Sequence, residues 1–479
     1  FDEERALYNL CDTDVKDCVF AGPADGESVL KEARNIGVED CSFSLRYPLW
    51  HVKKFNMKDS TMDEKTRAVI HSETHKGPGF IAANENWARL QDADALAALG
   101  IAVYERLSRE YPLSAVALTG QMHGVVPVDE NGLAVGPLYT WQDGRGALIE
   151  NGESVCDVLS RETGLSVASG YGLATHVYNL HRNLADPRTR ALTTAAGYLG
   201  MRLTGRKKPL LHASDAASLG GYDVRARAFH EAAVRLSHNA LPESVDQAVW
   251  LGKTRDDVPV AIAIGDNQAS FLGASDDPAR TLLVNVGTGS QVSLCAEKCV
   301  LSDAFDTRPF IGGKYLLVSS PLCGGRSYAL LERFLRSCAA LAGCDENQSL
   351  YGAMNALAMA EQSDPLTVDT RFCGTRRDPA LRASITNLGE DNFDAAHLIR
   401  GVLTGMAREL CDGYAAMCAA LNVRSDLVLT ASGNGAKRNP ALQAILAQTF
   451  GLPLTLSPYD EEAARGAAIF ALGMLEETR

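Results

Sequence analysis

The 479-residue sequence has no CxxC pair among its twelve cysteines, no run of eighteen apolar residues, no charged-then-apolar leader and no basic surplus. Each lack excludes something. Cys295 and Cys299 stand four apart, but no His or Cys follows at metal-ligand spacing, so reduced thiols in a cytoplasmic protein are expected. No membrane span is expected without a long apolar run, and no signal peptide without a leader, although the sequence begins at Phe1 rather than Met, as it would if it started inside a longer product. Lys and Arg number 46 against 59 Asp and Glu, a net charge of −13. That balance disfavours nucleic acid and anionic membranes as partners. A phosphate site on such a protein must work through local geometry, from backbone N–H groups and helix N-termini.

What is present is enough chain for two cores and 42 glycines to turn it. Residues 1–68 read differently from the rest. Val15-Lys16-Asp17-Cys18-Val19-Phe20, Val38-Glu39-Asp40-Cys41-Ser42-Phe43 and Met57-Lys58-Asp59-Ser60-Thr61-Met62 share one alternating pattern around an Asp. They recur at roughly twenty residues, the length of one turn of a parallel β-helix. A β-helix-like fragment is therefore expected over 1–70, and it resembles a family of right-handed β-helix proteins of unknown function. Further on, Pro78-Gly79-Phe80 opens a loop and Trp87 leads into a helix with Leu96, Leu99, Val103 and Leu107 on one stripe. Strands and helices then alternate, with buried strands expected at 115–118, 258–264, 281–286 and 427–429, the mark of an α/β protein.

Several of these strands end in turns dense with Gly and short polar residues, where ligands of α/β sheets collect. Gly120-Gln121-Met122-His123-Gly124 presents amide and imidazole groups that a polyol needs as it leaves water; a buried structural His is the competing reading. In Thr140-Trp141-Gln142-Asp143-Gly144-Arg145 the Trp face can stack on a sugar while Gln and Asp take hydroxyls, or the segment is a turn with a partly buried Trp. Asp266, in Ile264-Gly265-Asp266-Asn267, stands after a strand and before a helix, where it either caps the helix or acts as a general base. Asn285-Val286-Gly287-Thr288-Gly289-Ser290 can turn its N–H groups on phosphate oxygens, though no Gly-Lys-Ser/Thr ends it as in a P-loop. Gly433-Asn434-Gly435 and Asn439 suit a nucleoside lying against the backbone, or an ordinary capped strand-to-helix loop.

In this order over residues 80–479, these segments resemble the FGGY carbohydrate kinases. His212-Ala213-Ser214-Asp215-Ala216-Ala217-Ser218-Leu219-Gly220-Gly221-Tyr222 is similar to the segment before that family's domain junction, in its sedoheptulokinase branch. The resemblance implies two actin-like (ribonuclease H-like) domains, at 71–252 and 253–479, with a cleft between them. It implies phosphorylation of a ketose hydroxyl by ATP, with Asp266 as catalytic base. Gln121, Met122, His123, Trp141, Asp143, Asp266 and Asn267 would bind sugar, and Gly287, Thr288, Gly289, Ser290, Gly433, Asn434 and Asn439 would bind ATP. Mg²⁺ would arrive through the ATP phosphates, its protein ligands unknown. Sugar and ATP are the expected partners, with a homodimer left open. One departure stands out: the family opens with an Asp-x-Gly-Thr phosphate turn between two strands, and no such turn occurs here. The first domain is then N-terminally incomplete, with a sheet edge and an apolar face uncovered. The alternatives are a xylulokinase-type kinase or a catalytically impaired sugar-binding remnant.

Overall fold

The computed structural model describes residues 90–477 apart from 151, 346–347, 361, 376–377, 379 and 422–425, and, ahead of residue 90, the segments 11–16, 18–20, 34–39, 41–43, 53–58, 61–62 and 73–74. The expected loop at Pro78, the Trp87 segment and the recurring Asp17, Asp40 and Asp59 lie outside those residues.

The N-terminal strands stack as the alternation predicts. Cys11–Lys16, Arg34–Glu39, Lys53–Lys58 and Glu73–Thr74 form one parallel ladder, and Val19–Phe20, Ser42–Phe43 and Thr61–Met62 form a second. Val15 lies beside Val38, and Val38 beside Met57, so equivalent positions of successive turns fall on one another. Val15, Phe20, Ile36 and Val38 are buried between the ladders, which is how a β-helix coil hides an apolar face that one turn cannot hide alone.

The strongest structure lies at the other end of the chain. Thr281–Val286 and Ser290–Ala296 form a hairpin, extended by Tyr315–Ser319 and then Asp306–Pro309, all antiparallel. On the other side Val428–Ser432 and Leu454–Leu456 add in parallel. The result is a six-stranded mixed sheet. The long helix Ala395–Ala420 packs on the hairpin and on the helix Pro440–Phe450. Leu282, Val284, Leu403, Met406, Leu429 and Leu446 share the core between them. Leu282 and Val284 alternate toward that core, while Leu283 joins Phe271, Phe310 and Leu316 on the opposite face, so the sheet is covered on both sides.

Two helices tie this region to what precedes it. Asp266–Ala274 crosses Glu462–Glu477 at Gly273 and Gly466, where a Cβ would come within 1.7 Å of the Glu462 carbonyl and 1.8 Å of the Ala269 carbonyl. Only glycine permits that approach.

Ahead of residue 260 the sheet breaks into pairs. Thr119–Gly120 lies parallel to Ile264–Gly265, Val126–Val128 pairs with Ala191–Thr193, and Leu138–Tyr139 pairs with Leu90–Gln91. The continuous strands expected at 115–118 and 258–264 appear as a bridge at Val116–Val260 plus the short runs Pro259–Ala261 and Ile264–Gly265. A strand lengthens only where a neighbour meets its N–H and C=O groups on each side; Pro259–Ala261 pairs with Trp250–Lys253 on one side but with Val116 alone on the other, and Ile264–Gly265 pairs with the two residues Thr119–Gly120. The helix Ala93–Glu110 forms as its stripe predicts, capped by the Asp92 side chain accepting from the Ala95 N–H. Yet Leu96, Leu99, Val103 and Leu107 are 40, 59, 48 and 36% exposed. Leu96, Leu99 and Val103 line an apolar groove of about 560 Å³ together with Thr119, Gly120 and Gln121. Among the described residues no element covers this apolar face.

Candidate active site

A cleft of about 840 Å³ opens between the segment Leu301–Arg308 and a wall built from Met122, His123, Trp141, Ser166, Ser169, Tyr171 and residues 214–224. The wall begins at the end of Thr119–Gly120. His123 holds φ 72°, a left-handed conformation that costs a non-glycine residue roughly 1 kcal/mol or more. Its Nδ1 bonds the Ser218 carbonyl at 3.1 Å, and its ring stacks on Tyr171, centroids 4.6 Å apart and 4° from parallel. Trp141 is 54% exposed along the same wall.

Gly265 packs behind two residues of that wall, Met122 and Ser214. A Cβ there would meet Met122 Sδ at 2.8 Å and Gln268 Oε1 at 2.5 Å. The Gly265 N–H donates to Ser214 Oγ at 3.1 Å, and Ser214 in turn bonds His212 Nδ1 at 2.8 Å. Asp266 follows as the first residue of the helix Asp266–Ala274. Burial raises its proton affinity, opposed by the backbone N–H of Asn267 and by the charge of Arg308 from the facing segment. Desolvation outweighs both, so the carboxyl binds its proton more tightly than an ordinary aspartate. Asn267 Oδ1 is buried with no hydrogen-bond partner, an orphan acceptor of the kind a ligand satisfies. Asp215 is fully buried and accepts from Thr194 Oγ1 at 2.7 Å. Burial first and the charge of Asp266 second push its pKa up to about 7.

Two sequence-expected sugar residues lie elsewhere. Asp143 is 2% exposed and gives both carboxylate oxygens to Arg145 Nε, at 2.8 and 3.0 Å, while Arg145 continues to Asn179. Gln121 lines the apolar groove.

The expected nucleotide loops do converge. Gly287, Thr288 and Gly289 form the turn of the hairpin, closed by the Gly287 N–H donating to the Gly289 carbonyl at 2.9 Å. Gly433, at φ 81°, meets that hairpin so closely that a Cβ would lie 2.6 Å from the Val286 carbonyl. Asn285 Nδ2 donates to Ser432 Oγ at 2.8 Å. Asn434 begins a short helix beside it, and Asn439 caps the helix Pro440–Phe450 by accepting from the Leu442 N–H. Sequence reasoning missed the third component, Gly324-Gly325. At Gly324, φ 45°, a Cβ would fall 2.4 Å from the Ser290 nitrogen, and the Arg326 N–H donates to the Thr288 carbonyl at 2.9 Å. The 17-residue helix Gly325–Leu341 therefore points its N-terminus at the hairpin turn, where its dipole favours anions. A Gly-Gly pair between a buried strand, Tyr315–Ser319, and a long helix was the available signal. Among the described residues no group of three or more His, Cys, Asp or Glu side chains forms a metal site, and no helix is long and apolar enough to cross a membrane.

This arrangement, a six-stranded mixed sheet on which three Gly-rich turns converge, has the two-domain actin-like fold shared by the sugar kinases, a class of phosphotransferases. Residues 282–474 match the model of the FGGY family of carbohydrate kinases, C-terminal domain. Residues 1–76 match a different model, a protein family of unknown function. Human sedoheptulokinase is 26% identical over 393 residues, covering 74% of this chain and 80% of the human protein. The crystal structure of xylulose kinase from Bifidobacterium adolescentis superimposes with a TM-score of 0.66 at 18% identity, covering 81% of this chain and 86% of that one. Plasmodium falciparum glycerol kinase with ADP gives the same TM-score at 17% identity, with 81% of each chain covered.

Proposed function

We propose that this chain phosphorylates a ketose of the sedoheptulose or xylulose type, using ATP, with Asp266 as the general base. The carrying observation is the position of Asp266. It is held at a helix N-terminus, half-buried, with raised proton affinity, within reach of the charge of Arg308 from the cleft and one residue from the orphan acceptor of Asn267. In this reading Met122, His123 and Trp141 hold the sugar, and Asp266 takes the proton of its terminal hydroxyl. That oxygen attacks the γ-phosphate of ATP, and ADP leaves. Gly287, Thr288, Gly289 and Ser290 grip the phosphates beside the helix N-terminus at Gly325, while Gly433, Asn434 and the segment before Asn439 take the nucleoside. The domain boundary falls near 252, so that His123 and Asp266 approach the sugar from opposite domains. Among the described residues no cluster of His, Cys, Asp or Glu forms a metal site. Such catalysis is mostly positioning and charge neutralisation.

Turnover of sedoheptulose or D-xylulose in a coupled ATP-consumption assay is the expected outcome. Asp266→Asn should lower kcat about 10²–10⁴-fold, the usual worth of a positioned base, while sugar affinity stays within a few-fold. Equal activity of the variant and the parent would remove Asp266 from the mechanism. The proton affinity of Asp266 also sets a sign: kcat/KM should fall on the acid side at a pH above the ordinary aspartate range, because a protonated base cannot accept. One observation favours a second reading, a sugar-binding remnant without turnover: the sequence has no Asp-x-Gly-Thr turn, and the apolar groove of the first domain is uncovered. Calorimetric sugar binding with no ATP consumption would support it, and measurable turnover would exclude it.

A further inference from the structure

We propose that Tyr171 is a positioning residue for sugar recognition, clamping the His123 imidazole against the Ser218 carbonyl so that Nε2 serves as an acceptor for a sugar hydroxyl. The inference rests on the sugar-kinase reading of the cleft and adds to it a residue that no local pattern in the sequence marks.

Four observations converge on this pair. His123 keeps φ 72°, and such a conformation persists in a non-glycine residue only where its surroundings over-determine it. The determinants are visible. The ring lies flat on Tyr171, 4.6 Å between centroids and 4° from parallel. Its Nδ1 is 3.1 Å from the Ser218 carbonyl; a carbonyl only accepts, so Nδ1 carries a proton, and the neutral tautomer with that proton has its lone pair on Nε2. Tyr171 is itself fixed. It is the N-cap residue of the helix Gly172–His181, and its ring sits over Gly220, where φ is 94° and a Cβ would come within 2.8 Å of Tyr171 Cδ2. The Leu173 N–H donates to the Leu219 carbonyl at 2.9 Å, locking the segments that carry Tyr171 and Ser218 to each other. A stacked pair in a core would be packing alone. His123, Tyr171, Ser218 and Gly220 instead line the cleft together with Trp141 and Ser214. The clamp therefore sets the orientation of a group at the surface that meets ligand, where a small misplacement is felt strongly.

The test is calorimetric titration of the full chain with sedoheptulose and D-xylulose, and separately with ATP. Tyr171→Leu should weaken sugar binding about tenfold, the worth of a lost aromatic contact, with ATP affinity within about twofold of the parent. Tyr171→Phe keeps the stacking ring and should restore sugar affinity to within about twofold. Tyr171→Met, which keeps bulk but not a flat ring, should move sugar affinity in the same direction as Tyr171→Leu. This variant carries the test if Tyr171→Leu does not fold. In the His123→Ala background Tyr171→Leu should add nothing, because a positioning residue has no effect once its target is gone. Parent-like sugar binding by Tyr171→Leu, equal weakness of the Phe and Leu variants, or additivity with His123→Ala would each overturn the clamp. Failure of the underlying reading looks different: the parent would bind neither sugar, and His123→Ala would change nothing.

Discussion

The two halves of the kinase-like region follow one plan with unequal completeness. In the second, both faces of the six-stranded sheet are covered, and Leu282, Val284, Leu403 and Leu429 are buried to 0% exposure. In the first, the strands occur in pairs of two or three residues, and the helix Ala93–Glu110 turns four large apolar side chains outward. Helix propensity and the Asp92 cap are intact there, so local signals are enough to form the helix. They do not cover it. An apolar stripe is a demand for a partner element, and the contrast shows that the stripe and its partner are encoded in separate stretches of chain. Residues 282–474 match the FGGY C-terminal domain and residues 1–76 match a different family model.

The sharpest way to test that contrast is to remove one leucine from each region. Leu403, on the helix Ala395–Ala420, is buried among Val402, Met406 and Ala407 in the large core. Leu403→Ala should cost about 2–5 kcal/mol, the sum of lost transfer energy and an unfilled cavity. Leu99→Ala should cost under about 0.5 kcal/mol, as exposed substitutions do. Denaturant midpoints of the two variants would decide it. A loss at Leu99 comparable to that at Leu403 would mean that the stripe is covered in solution and that the two regions are equally complete.

How much of this was legible depended on the distance between partners. The hairpin turn at Gly287-Thr288-Gly289 could be read because a strand runs straight into glycines, and the stacked N-terminal strands could be read because their pattern repeats. The Asp143–Arg145 pair was legible in principle, since an Asp two residues before an Arg in a turn often closes on it. The segment instead drew attention for Trp141, which the structure places on the cleft wall. Tyr171 and Arg308 carry no local mark: one reaches His123 from 48 residues along the chain, and the other bears on Asp266 from 42 residues away. Periodicity and turn chemistry report on neighbours within about ten residues, so a site assembled from distant segments shows only its loops.

Asp215 lies where the two halves meet, and it offers a test of that junction of intermediate size. Its carboxyl is buried with Thr194 Oγ1 as donor and Asp266 as the nearby charge, and its pKa stands at about 7 in the folded chain. An unfolded aspartate titrates near 3.9. Between those values the folded state holds a proton that the unfolded state has released, so stability is greatest below about pH 4 and falls as pH rises toward 7. The full difference is on the order of 2–4 kcal/mol. Asp215→Asn keeps the shape and an acceptor for Thr194 but removes the titration, so its stability should vary less between pH 4 and 8 than that of the parent. Melting curves across that range would show it, and an unchanged slope in the variant would mean that Asp215 is ionised and solvated despite its position.

The smallest expected effect is the most informative about the uncovered helix. Leu99→Glu and Val103→Glu place charge on side chains that are 59 and 48% exposed. In a face that meets only water, each should change stability by less than about 0.5 kcal/mol, and both should reduce concentration-dependent self-association, because contiguous exposed apolar surface drives it. If the same face is instead covered by another element or a second molecule, burying a carboxylate there would be costly. The variants would then lose stability or dissociate a defined complex. Light scattering alongside denaturation separates the outcomes: unchanged midpoints with less aggregation mean a helix whose partner is missing, whereas a lost midpoint together with a lost oligomer means a partner that the apolar stripe has kept.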